Sequence, residues 1–409
     1  MHLLYIQQLL ILPKMAGNTR SWEFTQYWHQ KGTKVTLVTS SAALSSLPDF
    51  PSTTRYPFLW HYQGIDIWVV DVSYDHKMPF RRRILAFVSF MWKVKRLIHR
   101  LPQPDAVLAY TAPLSVAELG RQLARRWNCP FFLEVADVWP EVPIGMGIIR
   151  QPALIQWLRT RTRKIYEASQ HIFTFSPDMK TLIQEEGINA DRITTIFNGT
   201  KILKPVVNIS SSRKDSSIVR LLYTGTLGVA NDVGQLIRAV HLLEKEGRRE
   251  IQLDIVGDGN DAQSVKNLAQ QLDVRQVRFH QQVPRAALAA FWQQADIGMI
   301  TFAAFPILES NAATKFFDYL AAGLPIIINY EGWQATYLRE YRCGLSSRQG
   351  DIKALARNIR FLANNPALRR RMGAEGNKLA AQMFDRTQLA QSMLEQILEP
   401  YSNPRNPSV

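Results

Sequence analysis

Three side chains in the second half of the sequence have the types and spacing to bind a phosphorylated, hydroxyl-rich ligand. Asn311, Lys315 and Asp318 lie at i, i+4 and i+7, which puts them on one face of a helix. Helix-forming residues run from Asn311 to Ala322 and stop at Gly323, a residue favoured just after a helix. Lys315 and the helix N-terminus would attract phosphate, and Asp318 would accept hydroxyl hydrogen bonds. The alternative is a solvated helix face with an incidental Lys–Asp pair.

Two glycine-rich loops follow predicted strands in the same half of the chain. Gly225–Gly228 comes after Arg220–Thr224, and Gly257–Gly259 comes after Ile251–Val256. In open α/β sheets, ligands bind at the edge where the carboxyl ends of the strands meet. Glycine there lets a phosphate or a flat base approach the backbone closely. Each loop alone is a weak signal, but the two loops and the Lys315 helix together predict one site.

Acidic residues mark a comparable place in the first half of the chain. Glu134, Asp137 and Glu141 lie where the predicted strand Phe131–Val135 runs into a loop, and functional residues concentrate in such loops. Asp137 is the best candidate for a carboxylate that faces a cleft. The alternative is that Asp137 caps the N-terminus of the next segment.

The elements that must position these residues alternate between strand and helix. Further strands are predicted at Leu3–Leu12, Val35–Thr39, Ile65–Val70, Ala106–Tyr110, Ile172–Ser176, Ile193–Phe197, Val277–His280, Ile297–Thr301 and Ile326–Ile328. Further helices are predicted at Arg20–Gln30, Leu114–Trp127, Ala153–Ala168, Val233–Glu246, Ala262–Leu272 and Ala286–Ala295, after Ser176-Pro177, and throughout the chain beyond Ile328. This alternation predicts doubly wound parallel sheets.

The loop Pro13–Thr19, after the first strand, contains Gly17. Its segment MAGNTRSWEF is not a GxGxxG fingerprint, so we expect no dinucleotide cofactor. Gly17 either belongs to a ligand-binding loop or is an ordinary turn glycine.

The length of 409 residues indicates two domains. Lys201–Ser217 is rich in Ser and Lys and predicts a linker. We therefore place an N-terminal domain at residues 1–200, a linker at 201–217, a second domain at 218–385, and a C-terminal helix and tail at 386–409. The amphipathic stretch Leu389–Leu398 is predicted to cross back to the first domain.

Composition indicates the kinds of partner and the cellular compartment that suit the chain. The formal charge of +15 would attract polyanions, although it also serves solubility. The two cysteines are far apart in sequence, which argues against a zinc site or a disulfide framework and fits a reducing cytoplasm. The N-terminus lacks the charged start of a signal peptide, and no run of about 18 apolar residues could span a bilayer.

One segment combines the basic surplus with apolar residues. Pro79–Leu101 has helical character and places three arginines before the run ILAFVSFMW, a composition typical of helices that lie in a membrane interface. The residues predicted to contact an anionic membrane are Arg81, Arg82, Arg83, Phe87, Phe90 and Trp92. The alternative is a core helix whose basic residues face solvent.

Taken together, the segments TGTLGVAND, VGDG, TKFFDYLAAGLPI, IFNG and ADVWPE resemble those of family 4 glycosyltransferases, in the same order and along nearly the whole chain. The likeness is strongest to bacterial enzymes of O-antigen, capsule and exopolysaccharide assembly. It implies the GT-B fold, in which two Rossmann-like domains face a central cleft. It also implies metal-independent, retaining transfer from a nucleotide sugar, with the donor on the second domain and the acceptor mainly on the first.

The resemblance also assigns roles to residues, with departures. Asp318 falls on the second glutamate of the family's paired-glutamate signature, which usually binds the donor ribose, and Ser310 falls on the first. The family's common basic residues correspond to Thr226 and roughly to Asn231, so Lys315 is the implied replacement cation. Asp137 falls near the acidic or His position that faces the anomeric carbon.

We therefore predict catalytic roles for Asp137, Lys315 and Asp318. The predicted donor-binding residues are Gly17, Gly225, Thr226, Gly228, Asn231, Gly257, Asp258, Gly259, Val283, Asn311, Lys315 and Asp318. The predicted acceptor-binding residues are Thr19, Arg20 and Asn198. No cofactor and no metal are expected.

The resulting hypothesis is a peripheral enzyme at the inner face of the cell membrane that moves a sugar from a UDP-sugar to a lipid-linked or growing saccharide. Its partners would be the nucleotide sugar, the saccharide and an anionic membrane surface. One alternative is a catalytically lapsed GT-B protein that binds saccharide or partners, and another is a GT-B sugar-nucleotide 2-epimerase. Nucleic-acid binding is ranked last, because it explains the charge but not the paired glycine-rich loops.

Overall fold

The structure, a computed structural model, describes residues 1–52, 55–75, 78–111, 113–202 and 218–402. The chain divides into two compact units. The first contains Met1–Leu12, Asn18–Phe197 and the residues from 387 onward, and the second contains Pro13–Gly17 and Asn198–Arg386. Most of the predicted linker, residues 203–217, and the end of the predicted tail, residues 403–409, lie outside the described residues.

The first unit is built on an eight-stranded sheet in the order β3-β4-β2-β1-β5-β6-β7-β8. Its strands are β1 His2–Ile6, β2 Lys34–Ser40, β3 Phe58–Tyr62, β4 Ile65–Val70, β5 Ala106–Tyr110, β6 Phe131–Val135, β7 His171–Thr174 and β8 Ile193–Thr195. Its helices are α1 Arg20–Gln30, α2 Ser41–Leu44, α3 Phe80–Leu97, α4 Leu114–Trp127, α5 Glu141–Gly145, α6 Pro152–Ala168 and α7 Pro177–Glu185. The strands pair in parallel except β3, which is antiparallel to β4.

The second unit is built on a six-stranded parallel sheet in the order β11-β10-β9-β12-β13-β14. Its strands are β9 Val219–Thr224, β10 Ile251–Val256, β11 Val277–His280, β12 Ile297–Ile300, β13 Ile326–Ile328 and β14 Gly344–Ser346. Its helices are α8 Gly234–Lys245, α9 Ala262–Gln271, α10 Leu288–Gln294, α11 Thr314–Ala321, α12 Trp333–Glu340, α13 Ile352–Ala363 and α14 Pro366–Met383. The doubly wound parallel architecture predicted for both halves is confirmed.

The inner strands of both sheets are almost wholly buried. Leu3, Leu4 and Ile6 of β1 and Ile326–Ile328 of β13 are fully inaccessible to solvent. Strands covered by helices on both faces carry such unbroken apolar runs, which is why the sequence located most of them. Ser176 also caps α7 as predicted, since its hydroxyl accepts from the Met179 amide at 3.1 Å.

Two strand predictions need correction. Strand β1 ends at Ile6 and not at Leu12, because the Gln8 carbonyl accepts from the Ser40 amide at 3.1 Å and from its hydroxyl at 2.6 Å instead of continuing a ladder. The chain beyond Ile328 is not all helical, because Gly344–Ser346 pairs with β13 as an edge strand. The antiparallel strand β3 was not anticipated from the sequence either.

The last helix, α15 Arg386–Ser402, is grouped with the first unit from Thr387 onward. The Trp28 indole nitrogen donates to the Ala390 carbonyl at 2.8 Å, and the Tyr401 hydroxyl donates to the Asp105 carbonyl at 2.6 Å. None of the helices formed by described residues is long and apolar enough to cross a membrane.

Candidate active site

The two glycine-rich loops lie side by side at the carboxyl edge of the six-stranded sheet. The Gly225 amide donates to the Val256 carbonyl at 2.9 Å, and the Leu227 amide donates to the Asp258 carbonyl at 3.0 Å. A Cβ on Gly257 would overlap the Gly225 carbonyl oxygen, and one on Gly259 would overlap that of Leu227. These glycines are therefore required by the packing of loop on loop, in addition to any approach of a ligand.

Lys315, in the first turn of α11, supplies the cation beside the first loop. Its Nζ lies 4.0 Å from the centre of the Tyr223 ring, and its Cε and Nζ lie 3.2 and 3.3 Å from where a Cβ on Gly225 would be. No described carboxylate pairs with it. Burial lowers the pKa of Lys315 to about 7. This ammonium is desolvated without a counter-ion, a condition that an anionic ligand would relieve.

Asp318, one turn further along α11, is held by the protein itself. Arg285 donates to both carboxylate oxygens, with Nη1 to Oδ2 at 3.0 Å. The Thr200 hydroxyl donates to Oδ1 at 2.9 Å. A carboxylate has about four acceptor positions, so one remains on Oδ2. The predicted ribose contact of Asp318 is thus limited to a single hydrogen bond.

The predicted helix face with three members is wrong in one respect. Helix α11 begins at Thr314, and Asn311 lies before it in extended backbone with φ −66° and ψ 152°. The preceding residues, Pro306–Ser310, form a separate 3-10 helix, which ends before Asn311. The Asn311 carbonyl accepts from the Trp333 indole at 3.1 Å, while its side-chain Oδ1 is buried without a described hydrogen-bond partner.

The other predicted donor residues lie on loops of the second unit. Gly225, Thr226 and Asp258 are exposed, and Gly228, Asn231, Gly257, Gly259 and Val283 are half-buried. Gly17 is exposed at φ 126°, in the left-handed region that favours glycine. Ser310 is buried and its hydroxyl donates to the Ile307 carbonyl at 2.8 Å.

In the first unit, the carboxyl edge of β6 carries a buried ion pair. Glu134 pairs with Arg20 and accepts a hydrogen bond from the Tyr5 hydroxyl. The predicted acceptor residue Arg20 is 1% exposed, and its guanidinium also donates to the carbonyls of Phe197 and Ile196, both at 3.2 Å. The structure therefore gives the Arg20 side chain a place in the core instead of at a binding surface.

Asp137, two residues beyond β6, has the opposite environment. Its carboxylate is half-buried, and no described group donates a hydrogen bond to it. Burial raises the pKa of Asp137 to about 6. The N-cap alternative is wrong, because α5 begins at Glu141 with Pro140 as its N-cap residue. Glu141 instead forms a bidentate ion pair with Arg159, with both bonds at 2.8 Å.

The remaining acceptor candidates are buried. Thr19 is 1% exposed and donates to Glu23 at 2.5 Å. Asn198, in the second unit, is 4% exposed and donates to the Ala312 carbonyl at 2.8 Å.

Helix α3 has an apolar stripe that faces solvent. Ile84, Leu85, Val88 and Trp92 are between 42% and 68% exposed, and the Arg96 guanidinium lies 3.2 Å from the centre of the Trp92 ring. The membrane-contact prediction is wrong for Phe90, which is fully buried on the same face of α3 as Ala86 and Val94. Arg81 and Arg82 are exposed, Arg83 is half-buried, and Phe87 stacks on Tyr74 with ring centres 5.5 Å apart.

Comparison with known proteins identifies this pair of units. The family profile described as "Glycosyl transferase 4-like domain" matches residues 16–199, and the profile "Glycosyl transferases group 1" matches residues 208–379. Together the two profiles cover most of the chain. It belongs to the family 4-like glycosyltransferases. No curated protein sequence matches this glycosyltransferase significantly.

Solved structures show the same architecture. Sucrose-phosphate synthase from Thermosynechococcus elongatus matches with a TM-score of 0.75 at 15% identity, over 98% of this chain and 99% of that one. HepE from Anabaena, in complex with UDP-glucose, matches with a TM-score of 0.67 at 14% identity, over 97% and 99%. WaaG, involved in lipopolysaccharide biosynthesis, matches with a TM-score of 0.65 at 15% identity, over 96% and 98%. These likenesses establish the GT-B fold of the glycosyltransferase.

One residue of the glycosyltransferase site, Arg285, was not predicted from the sequence. Arg285 follows Val283-Pro284 in the loop after β11 and binds Asp318 across 33 positions. The position of Arg285 in the sequence could have indicated it, because the loop after β11 leaves the same carboxyl edge of the sheet as the two glycine-rich loops. Among the described residues, no three His, Cys, Asp or Glu side chains are grouped so that they could hold a metal ion.

Proposed function

We propose that this glycosyltransferase moves a sugar, with retention of configuration, from a UDP-sugar to a lipid-linked or growing saccharide at an anionic membrane surface. The observation that carries the proposal is Lys315. It is a desolvated cation without a described counter-ion, and it lies against a glycine-rich loop at the carboxyl edge of a parallel sheet. A diphosphate is the kind of ligand that such a position would stabilise.

The chemistry follows from where charge develops. As the sugar leaves its diphosphate, negative charge grows on the phosphate oxygens, and a fixed cation is worth more in a desolvated site than in water. Lys315 would supply that cation, with backbone amides of the Gly225–Gly228 loop as hydrogen-bond donors. The protein would then provide the neutralising charge itself, which supports a metal-independent reaction.

The choice of UDP rests on a structural neighbour. HepE is described in complex with UDP-glucose, and the donor site proposed here lies in the unit that matches the group 1 profile. Asp318 retains one acceptor position, enough for one ribose hydroxyl. A saccharide acceptor at a membrane is supported by the exposed apolar stripe and the basic residues of α3 and by the likeness to WaaG.

The experiment is a donor screen against membranes and lipid-linked saccharides, with excess EDTA in a parallel arm. We expect sugar transfer from a UDP-sugar at an undiminished rate in EDTA, with the anomeric configuration of the donor kept in the product. Loss of turnover in EDTA that Mn²⁺ or Mg²⁺ restores would contradict the metal-independent reaction. An inverted product would contradict retention.

Two further measurements separate the alternatives. A thermal shift with UDP tests the lapsed protein, because a chain that has lost the donor site would show no stabilisation by UDP. Product analysis with the donor alone tests the epimerase, because epimerisation needs no acceptor. A converted nucleotide sugar in that arm would replace the transferase proposal.

A further inference from the structure

An open pocket of about 330 Å³ lies at the carboxyl end of β4, against α3. The side chains that matter are Asp71 and Ser73 from the loop after β4 and Arg82, Leu85, Ser89 and Lys93 from the helix. The volume lies within the range of small-molecule sites. The carboxyl edge of a parallel sheet is also where ligands bind in this class of fold.

The pocket contains two cationic side chains, Lys93 and Arg82, and only Lys93 makes a hydrogen bond to a described residue. The Lys93 ammonium donates to the Asp71 carbonyl, and the Asp71 carboxylate accepts from the Ser41 hydroxyl at 3.3 Å. The Arg82 guanidinium is exposed and has no hydrogen bond or ion pair with any described residue. Helix α3 contains six Lys and Arg residues and no Asp or Glu. An anionic group is therefore favoured here, and Arg82 has free donors for it.

The pocket continues into the apolar stripe of α3. Leu85 lines the pocket and is 68% exposed, so it belongs to both surfaces. Ile84, Val88 and Trp92 extend the stripe along the helix at spacings that keep them on one face. A polar, cationic pocket and an apolar strip that meet at one residue fit a ligand with a charged head and a long apolar chain.

We propose that this pocket binds the phosphate next to the lipid of a lipid-linked saccharide, whose hydrocarbon chain lies along Ile84, Leu85, Val88 and Trp92. This inference rests on the proposed function, because it gives the lipid-linked acceptor its anchoring site. Arg82 donates to the phosphate oxygens, Lys93 adds positive charge, and the Ser73 and Ser89 hydroxyls donate hydrogen bonds. The donor site in the second unit is not involved.

The test compares two vesicle types matched for total negative charge. One is phosphatidylcholine doped with a long-chain polyprenyl monophosphate, and the other is phosphatidylcholine doped with phosphatidylglycerol. The readout is the ratio of the two affinities, measured by co-sedimentation of the full chain. We expect the parent to prefer the polyprenyl phosphate, and Arg82→Gln to reduce that preference by about tenfold, which is the loss of one charge-assisted hydrogen bond.

Arg81 provides the matched control. It is the neighbouring exposed arginine on the same helix and does not line the pocket. Arg81→Gln should weaken binding to both vesicle types equally, since it removes only general attraction to anionic lipid. Ser89→Trp, which fills the pocket and keeps every charge, should lower the preference as Arg82→Gln does. Thermal unfolding checks that each variant is folded.

Three results would overturn the proposal. One is equal binding of the parent to both vesicle types, and another is the same change in preference for Arg81→Gln as for Arg82→Gln. The third is release of the protein from polyprenyl phosphate vesicles by inorganic phosphate at comparable concentration, which would assign the pocket to a free anion. A parent that prefers polyprenyl phosphate but transfers no sugar would keep this site and contradict the proposed function, so the two failures are distinguishable.

Discussion

At the carboxyl edge of each sheet, one charge is paired and another is not. In the six-stranded unit, Asp318 is held by Arg285, whereas Lys315 has only the Tyr223 ring. The eight-stranded unit repeats the contrast, because Glu134 has an arginine partner and Asp137, two residues beyond the strand, has no described partner.

The contrast separates structural charges, which are paired within the protein, from poised charges, which are buried without a partner and could pair with a ligand. A buried ion pair is costly to break, because removal of one partner leaves the other charge buried and unpaired in the low-dielectric interior. A desolvated charge without a partner instead shifts its pKa towards the neutral form: that of Lys315 falls to about 7 and that of Asp137 rises to about 6. Such groups gain most when a ligand supplies the missing partner, which is why perturbed groups mark functional sites.

The strongest test of the structural half of this contrast is Arg285→Ala. The Arg285 and Asp318 side chains are 15% and 5% exposed, so the change leaves a buried carboxylate with only Thr200 as a donor. We expect a loss of about 3–5 kcal/mol in the free energy of unfolding, measured by denaturant titration. The control Arg278→Ala removes an exposed arginine of β11 and should stay within about 0.5 kcal/mol. Equal effects of the two changes would show that the pair does not stabilise the unit.

The strongest test of the poised half is Lys315→Ala. Loss of a single electrostatic stabiliser at a developing charge costs about 3 kcal/mol, so kcat/KM for sugar transfer should fall by about 100-fold or more. Lys266→Ala is the matched control, because Lys266 is an exposed lysine that also lies over an aromatic ring, with Nζ 5.9 Å from the centre of Phe279. Near-full turnover in Lys315→Ala would remove Lys315 from the site.

Periodicity and composition predicted most of the fold, for a physical reason. Helix α1 at Arg20–Gln30 and strand β10 at Ile251–Val256 have the bounds predicted from sequence, because a buried parallel strand and an amphipathic helix carry local patterns. The two missed strands, Phe58–Tyr62 and Gly344–Ser346, both lie at sheet edges. Gly344–Ser346 has Leu345 as its only apolar side chain, and Phe58–Tyr62 contains His61, so neither segment shows a continuous apolar run or a clear alternation.

The candidate site was predictable only where it depends on local sequence. The glycine-rich loops and the Lys315–Asp318 turn are visible from spacing. The Arg285–Asp318 pair joins residues 33 positions apart, and the Asp318–Thr200 bond joins residues 118 apart, so both depend on how the sheet assembles. The same holds for Arg20 and Glu134, which a loop-by-loop analysis treats as separate surface charges.

Asp137→Asn tests the poised carboxylate through stability. The pKa of Asp137 is raised from 3.8 to about 6, so between about pH 4 and pH 6 the folded chain binds a proton that the unfolded chain has released. Stability contributed by this group is therefore highest at low pH and falls as the pH rises through that window. At pH 7 the asparagine variant should be more stable by about 2–3 kcal/mol. Denaturant titrations at several pH values would contradict this if both proteins showed the same slope.

The smallest predicted effect concerns the pH dependence of donor binding. If the donor diphosphate needs a charged lysine, the UDP-sugar should bind with full affinity below the pKa of Lys315, which is about 7. Its affinity should fall as the pH rises above that value. Between pH 6 and pH 8 the protonated fraction drops about tenfold, so the association constant should drop by about the same factor. A UDP-sugar is the appropriate probe, because both of its phosphates are diesters, whereas the terminal phosphate of UDP titrates near pH 6.

Lys315→Arg decides whether that slope belongs to Lys315. A guanidinium stays charged at every pH in this range, so the variant should bind the UDP-sugar with an affinity that is flat between pH 6 and pH 8, even if its longer side chain weakens binding overall. Lys266→Arg should keep the slope of the parent. Calorimetric titrations at three pH values supply the measurement. A pH dependence that persists in Lys315→Arg would mean that another group changes its protonation when the donor binds. Lys315 would then no longer be an example of a poised charge.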